Sequence, residues 1–158
     1  MNIFVLDHDP IVAAIMHCDK HVVKMILETA QMLSTAHHVH NSPQAPYVYK
    51  KAHINHPCTI WVRESRENYD WAYQLFFALN REFHHRRGKN HESWIKMYDL
   101  LKNNPAPAKS LTPFAQAMPE QYKCDDAVTA YRNYYKGEKA RFAKWEWPNS
   151  YAPYWWNQ

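Results

Sequence analysis

The chain has little glycine: two residues in 158. That is too few for a sheet protein, which spends glycine on its tight turns, and it favours helices joined by loops. Cysteine is scarce and odd in number, at three, with no C-x-x-C pair. No secretory leader is visible, so a disulfide framework is not expected and a reducing cytoplasm is. No apolar run reaches the roughly 18 residues that a membrane span needs. At this length one domain, residues 1–158, is the expectation.

Proline and aromatic residues are plentiful. Ten prolines punctuate the loops, and seven Trp with eleven Tyr point to an aromatic-rich core. The net charge of +4 with His neutral is a basic excess that suits a polyanionic partner.

Residues 2–6, NIFVL, read as a short extended segment. Asp9 and Pro10 are an N-cap and first-position pair, opening a helix expected to run from Pro10 to about His38. A proline-rich loop follows to Pro57. A second helix is expected from there to about Arg87, stopped by Gly88. Glu92–Leu101 reads as a short helix, 103–119 as a loop, and Asp126 to about Trp145 as a last helix. The final stretch, WPNSYAPYWWNQ, is too aromatic to hang free and is expected to pack over the body. The predicted fold is all-α: a compact single-domain bundle of about three long helices, Pro-rich connections and a packed tail.

The first helix carries the most informative pattern. Ile11, Ile15, Cys18, Val22, Ile26 and Leu33 make an apolar row. His17, Lys20, His21, Lys24, Glu28, Gln31 and Thr35 recur at the same spacings. At about 100° per residue they fall within roughly 60° of one line. A solvated surface face explains such a stripe in general. Here, however, a single carboxylate stands between Lys24 and Gln31, and a neighbouring cation keeps such a group ionised. The last helix interleaves Tyr131, Tyr134, Tyr135, Phe142 and Trp145 with Arg132, Lys136, Lys139, Arg141 and Lys144. Rings for bases and cations for phosphates suit a nucleic acid.

The run D-K-H-x-x-K-x-x-x-E-x-x-Q-x-L, Asp19 to Leu33, resembles the first helix of the pyrimidine-dimer DNA glycosylase family (the phage endonuclease V type). Asn55-His56-Pro57, Trp61, Tyr69, Glu82-Phe83 and the Arg86-Arg87-Gly88 corner resemble the second helix of its bacterial relatives. Tyr131–Gly137 is similar to its aromatic-basic C-terminal segment. The resemblance implies a small all-helical enzyme in which an α-amine attacks C1′ of a damaged nucleotide and forms a Schiff base. In it a helix-borne Glu stabilises the sugar cation and assists β-elimination. On this chain that Glu is Glu28, and His21, on the same stripe, is a phosphate or sugar contact. Asn2 is too large for efficient removal of Met1, so the implied nucleophile is the Met1 amine, with Lys20 or Lys24, or water in a reaction without a lyase step, as alternatives. An α-amine titrates near 7.7–8.0, so an appreciable fraction is nucleophilic at neutral pH. The family's basic residues near the Glu are replaced by Leu27 and Gln31.

The sequence therefore predicts a DNA glycosylase, extended by an apurinic/apyrimidinic lyase step, acting as a monomer on double-stranded DNA with damaged or modified bases. It needs no cofactor, no metal and no membrane. Glu28, Met1 and His21 are the expected catalytic residues. Asn2, Lys20, Lys24, Gln31, His56, Arg63, Arg86, Arg87, Lys89, Arg132, Tyr135, Lys136 and Lys139 are the expected DNA contacts. Three other readings compete. One is a zinc site drawing on His17, Cys18, His21, His53, His56 and Cys58, with i and i+4 His on one helix face. Another is a nucleic-acid-binding module that breaks no bond, and a third is a phage-type enzyme acting on nucleosides or modified bases.

Overall fold

The computed structural model describes residues 1–157. It is all-helical, with no strand among the described residues. The helices are α1 (Pro10–Met16), α2 (Asp19–Val39), α3 (Pro57–Glu64), α4 (Arg66–Arg87), α5 (Glu92–Leu101) and α6 (Ala127–Tyr134). A π-helical turn, Tyr135–Lys139, continues α6. The helix signals in the sequence act as expected at several ends. Asp9 accepts from the Ile11 N–H at 2.8 Å and caps α1, and Gly88, at φ 74°, closes α4.

All three predicted long helices are interrupted, leaving α2 and α4 as the long pair. The first breaks at His17 and Cys18, both extended. There Arg86 from α4 donates to the carbonyls of Ile15 and His17, at 3.0 and 2.9 Å, taking over acceptors at the end of α1. The second breaks at Ser65, whose hydroxyl accepts from the Asn68 N–H and starts α4 afresh. The third ends near Lys139 instead of Trp145, because the following backbone is claimed by Asp19. The Asp19 N–H donates to the Lys144 carbonyl, and the N–H groups of Glu146 and Trp147 donate to Asp19 Oδ2 at 2.6 and 3.0 Å. Ser150 and Arg86 donate to the other oxygen. One buried carboxylate thus fastens the tail to the start of α2 and the end of α4. The tail packs as expected: Trp155 is buried, and Tyr135 meets Trp145, Trp155 and Trp156 edge-on or tilted.

α4 packs against α1, α2, α3 and α5, and α2 against α3, α4 and α5. Residues 2–6 belong to no helix and are buried throughout, with the Leu6 N–H donating to the Phe4 carbonyl instead of running fully extended. Phe4 stacks on His21 at 4.5 Å and meets the rings of Tyr131, Tyr134 and Tyr135. This segment carries the chain's first residue to the side of α2.

Burial holds two histidines of the predicted stripe uncharged. His17 is pushed down to about 4 by loss of solvent, with the Arg86 charge adding and a hydrogen bond to the Ala13 carbonyl opposing. His21 is pushed down to about 2, first by burial and then by His17, Lys139, Lys24 and Lys20. An unfolded His titrates near 6.5, so below that pH the unfolded chain binds protons that the folded chain refuses. Both contributions are complete above pH 6.5 and decline as pH falls from there, His17's to about pH 4 and His21's to about pH 2. Between pH 7.5 and pH 5 each is expected to cost on the order of 2 kcal/mol. Urea unfolding at the two pH values measures it.

Candidate active site

α2 places Lys20, Lys24 and Glu28 one turn apart on one face, a consequence of its i, i+4 geometry alone. A cavity of about 250 Å³ opens over this face. The N-terminal segment supplies Met1, Asn2 and Phe4 to its wall; the α6 end and tail supply Tyr134, Lys139, Arg141 and Phe142. The Met1 α-amine lies 3.2 Å from Glu28 Oε1, with both groups largely shielded from solvent. Glu28 Oε2 is buried and has no hydrogen-bond partner among the described residues.

Four side-chain cations, Lys20, Lys24, Lys139 and Arg141, line the same cavity, in which Glu28 is the one carboxylate. Three of them lie over aromatic faces: Lys20 over Phe142 at 4.6 Å, Lys139 over Tyr134 at 4.9 Å, and Arg141 over Phe142 at 5.6 Å. Cations held over rings keep their N–H donors free for an anion. The pocket therefore suits a ligand with phosphates and a planar ring. Within it, a partly satisfied carboxylate and a primary amine face one small volume. That pairing can stabilise a carbon cation and attack it.

Of the expected site residues, Met1, Asn2, Lys20, His21, Lys24, Glu28 and Lys139 line this pocket. Two of them do so in roles other than those predicted. Asn2 is spent on anchoring: its amide donates to the Ala117 carbonyl, and its Oδ1 lies 3.1 Å from the Tyr131 hydroxyl. His21 is a neutral ring with Nδ1 2.7 Å from the Tyr135 hydroxyl, so it offers no positive charge to a phosphate.

The other expected DNA contacts lie elsewhere. Arg86 is a correction: its side chain is fully buried, and its donors go to Glu82, Asp19 and two carbonyls. Tyr135 is fully buried under His21 and holds the Cys18 N–H. Arg132 braces the fold through the Leu6 carbonyl, Asp7 and Tyr154. Arg63 donates to the Ile54 carbonyl. His56 caps α3 by accepting from the Cys58 N–H. Gln31 sits one turn past Glu28, outside the pocket, and Lys136 lies in the π-helical turn but does not line it. Arg87 and Lys89 are exposed past the cavity, Arg87 with its guanidinium over Trp147 at 4.5 Å. The proposed zinc ligands do not converge: no group of three or more His, Cys, Asp or Glu is arranged to hold a metal among the described residues.

Three features escaped the sequence reading. Phe4 was visible only as part of an extended apolar segment, and Asp19 only as the start of a motif. Arg141 and Phe142 belonged to the aromatic-basic run, but helical projection did not turn them towards Glu28. The chain leaves α-helical geometry at Tyr135 and helical geometry altogether after Lys139, so a regular helical projection does not give their direction.

A protein-family model described as pyrimidine dimer DNA glycosylase matches residues 1–96, more than half of the chain. No curated protein and no solved structure matches.

Proposed function

The chain belongs to the pyrimidine dimer DNA glycosylase family, and on that premise we propose that it excises a damaged pyrimidine by imine chemistry at Met1 and Glu28. The observation that carries this reading is the 3.2 Å approach of the Met1 amine to Glu28 inside a cationic pocket. The neutral amine, one proton fewer than the ion pair holds, attacks C1′ as the bond to the base breaks. The base departs with the bonding electrons and takes up a proton. Ionised Glu28 stands against the positive charge that grows at C1′ and O4′. Opening of the C1′–O4′ bond, with a proton to O4′, leaves an iminium between Met1 and the sugar. Loss of a C2′ proton to Glu28 then expels the 3′ phosphate, and water releases the enzyme.

The phosphates on either side of the reacting sugar are held by Lys20, Lys24 and Lys139, with Arg141 at the rim. The catalytic unit is the whole chain acting as a monomer. The family match ends at residue 96, whereas Tyr134, Lys139, Arg141 and Phe142 come from beyond it. Double-stranded DNA is the substrate, and the reacting nucleotide must leave the stack to reach a recessed amine.

Borohydride trapping on duplex DNA with an abasic site tests the reaction. A covalent adduct mapped to the Met1 amine is the expected result. Attachment at Lys20 or Lys24 would move the nucleophile to a side chain, and DNA bound without any adduct would remove the lyase step.

A further inference from the structure

Beside the catalytic pocket runs a second, more open groove of about 750 Å³. Lys20, Lys24 and Phe142 line both spaces, so the two are separated by one ridge of side chains. The groove is walled by Val23 and the rings of Phe142 and Trp147, with Lys144 at its edge. Its acidic members are already engaged. The Asp19 oxygens hold the tail and Arg86, and Glu146 lies 3.6 Å from Lys144. The backbone N–H of Trp147 is one of those that Asp19 holds, which fixes the ring at the groove wall without using its face. Arg87 lies over the Trp147 ring at 4.5 Å and is not part of the groove. Val23, Lys144 and Trp147 line this groove and not the catalytic pocket, and the chemistry at Glu28 does not use them.

We propose that this groove is a subsite for an unpaired nucleobase, stacked on Trp147, that belongs to the nucleotide next to the reacting one on the same strand, on the side away from the base to which the damaged pyrimidine is joined. This subsite rests on the DNA reading above and on the shared lysines. Adjacent nucleotides share a phosphodiester, and Lys20 and Lys24 are the cations that the two cavities share. The phosphate between the two nucleotides sits on that ridge, its sugar on one side in the pocket and its neighbour's base on the other. A flat apolar wall with cations along one edge complements a base joined to a phosphate. A ring backed by a guanidinium is a sequence-tolerant stacking platform. Trp147 becomes the residue that grips a stretch of displaced strand two nucleotides long.

The test is an affinity cycle on duplexes carrying a tetrahydrofuran abasic analogue at the reacting position, which the protein binds but cannot cleave. Trp147→Ala is expected to weaken binding by about tenfold, in line with the loss of one stacked base, and Trp147→Phe to restore most of it. The penalty should vanish when one immediate neighbour on the same strand also lacks its base. It should persist when the base opposite the abasic analogue is removed instead. A penalty that vanishes only on removal of the opposite base, that survives every deletion, or that never appears would overturn the subsite. Failure of the unaltered protein to bind any of these duplexes would instead sink the DNA reading on which the subsite rests.

Discussion

Glu28→Gln is expected to slow base release from ultraviolet-irradiated duplex DNA by about 10²–10⁴-fold, the range for removing a positioned acid–base or charge-stabilising group. The amide keeps the shape of the side chain and an oxygen for the Met1 amine, so the pocket should not collapse. On the proposed mechanism, what disappears is the negative charge facing C1′, together with the base that takes the C2′ proton. Binding should move the other way. Glu28 is the one carboxylate among four cations at the pocket, and removing it makes the pocket more attractive to phosphate, so affinity should hold or rise slightly. Single-turnover base release and equilibrium binding, measured on the same preparation, separate the two effects. Equal loss of both would mean a folding defect. Unchanged release would end the proposal for Glu28.

The second large effect falls on stability. Arg86→Ala is expected to cost about 3–5 kcal/mol, the usual penalty for breaking a buried charge pair by removing one partner. The guanidinium is fully buried, and its loss removes the cation paired with Asp19 and Glu82 and a donor to the carbonyls at the end of α1. In a protein of this size that corresponds to a fall in Tm of roughly 6–20 °C. Arg86→Lys should recover little, because one ammonium cannot reach four acceptors in the fork geometry that a guanidinium provides. The effect should spread to the tail, since Asp19 also fastens residues 146–150. Thermal unfolding followed by Trp fluorescence reads both. A DNA-contact role, which the charge alone suggested, predicts an unchanged Tm and weaker binding.

Arg86 shows where reading the chain stops. In the sequence it is one of several cations after Glu82 and Phe83, indistinguishable from Arg81, Arg87 and Lys89. In the structure Arg81, Arg87 and Lys89 are exposed while Arg86 alone is buried. The same holds for the stripe on α2. Periodicity correctly put Lys20, Lys24 and Glu28 on one face, but could not tell that His17 precedes the helix or that His21 lies under Phe4.

By itself the sequence determined the helical class, several helix ends and the alignment of Lys20, Lys24 and Glu28. These are local consequences: caps, proline and glycine act within a turn, and side chains four apart share a face whatever surrounds them. Tertiary structure alone decided that Met1 meets Glu28, that Asp19 and Arg86 face inward, and that Phe142 divides two cavities. Those outcomes depend on which elements pack together. A polar side chain has the same local propensity whether water or a distant partner satisfies it, so only burial reveals which.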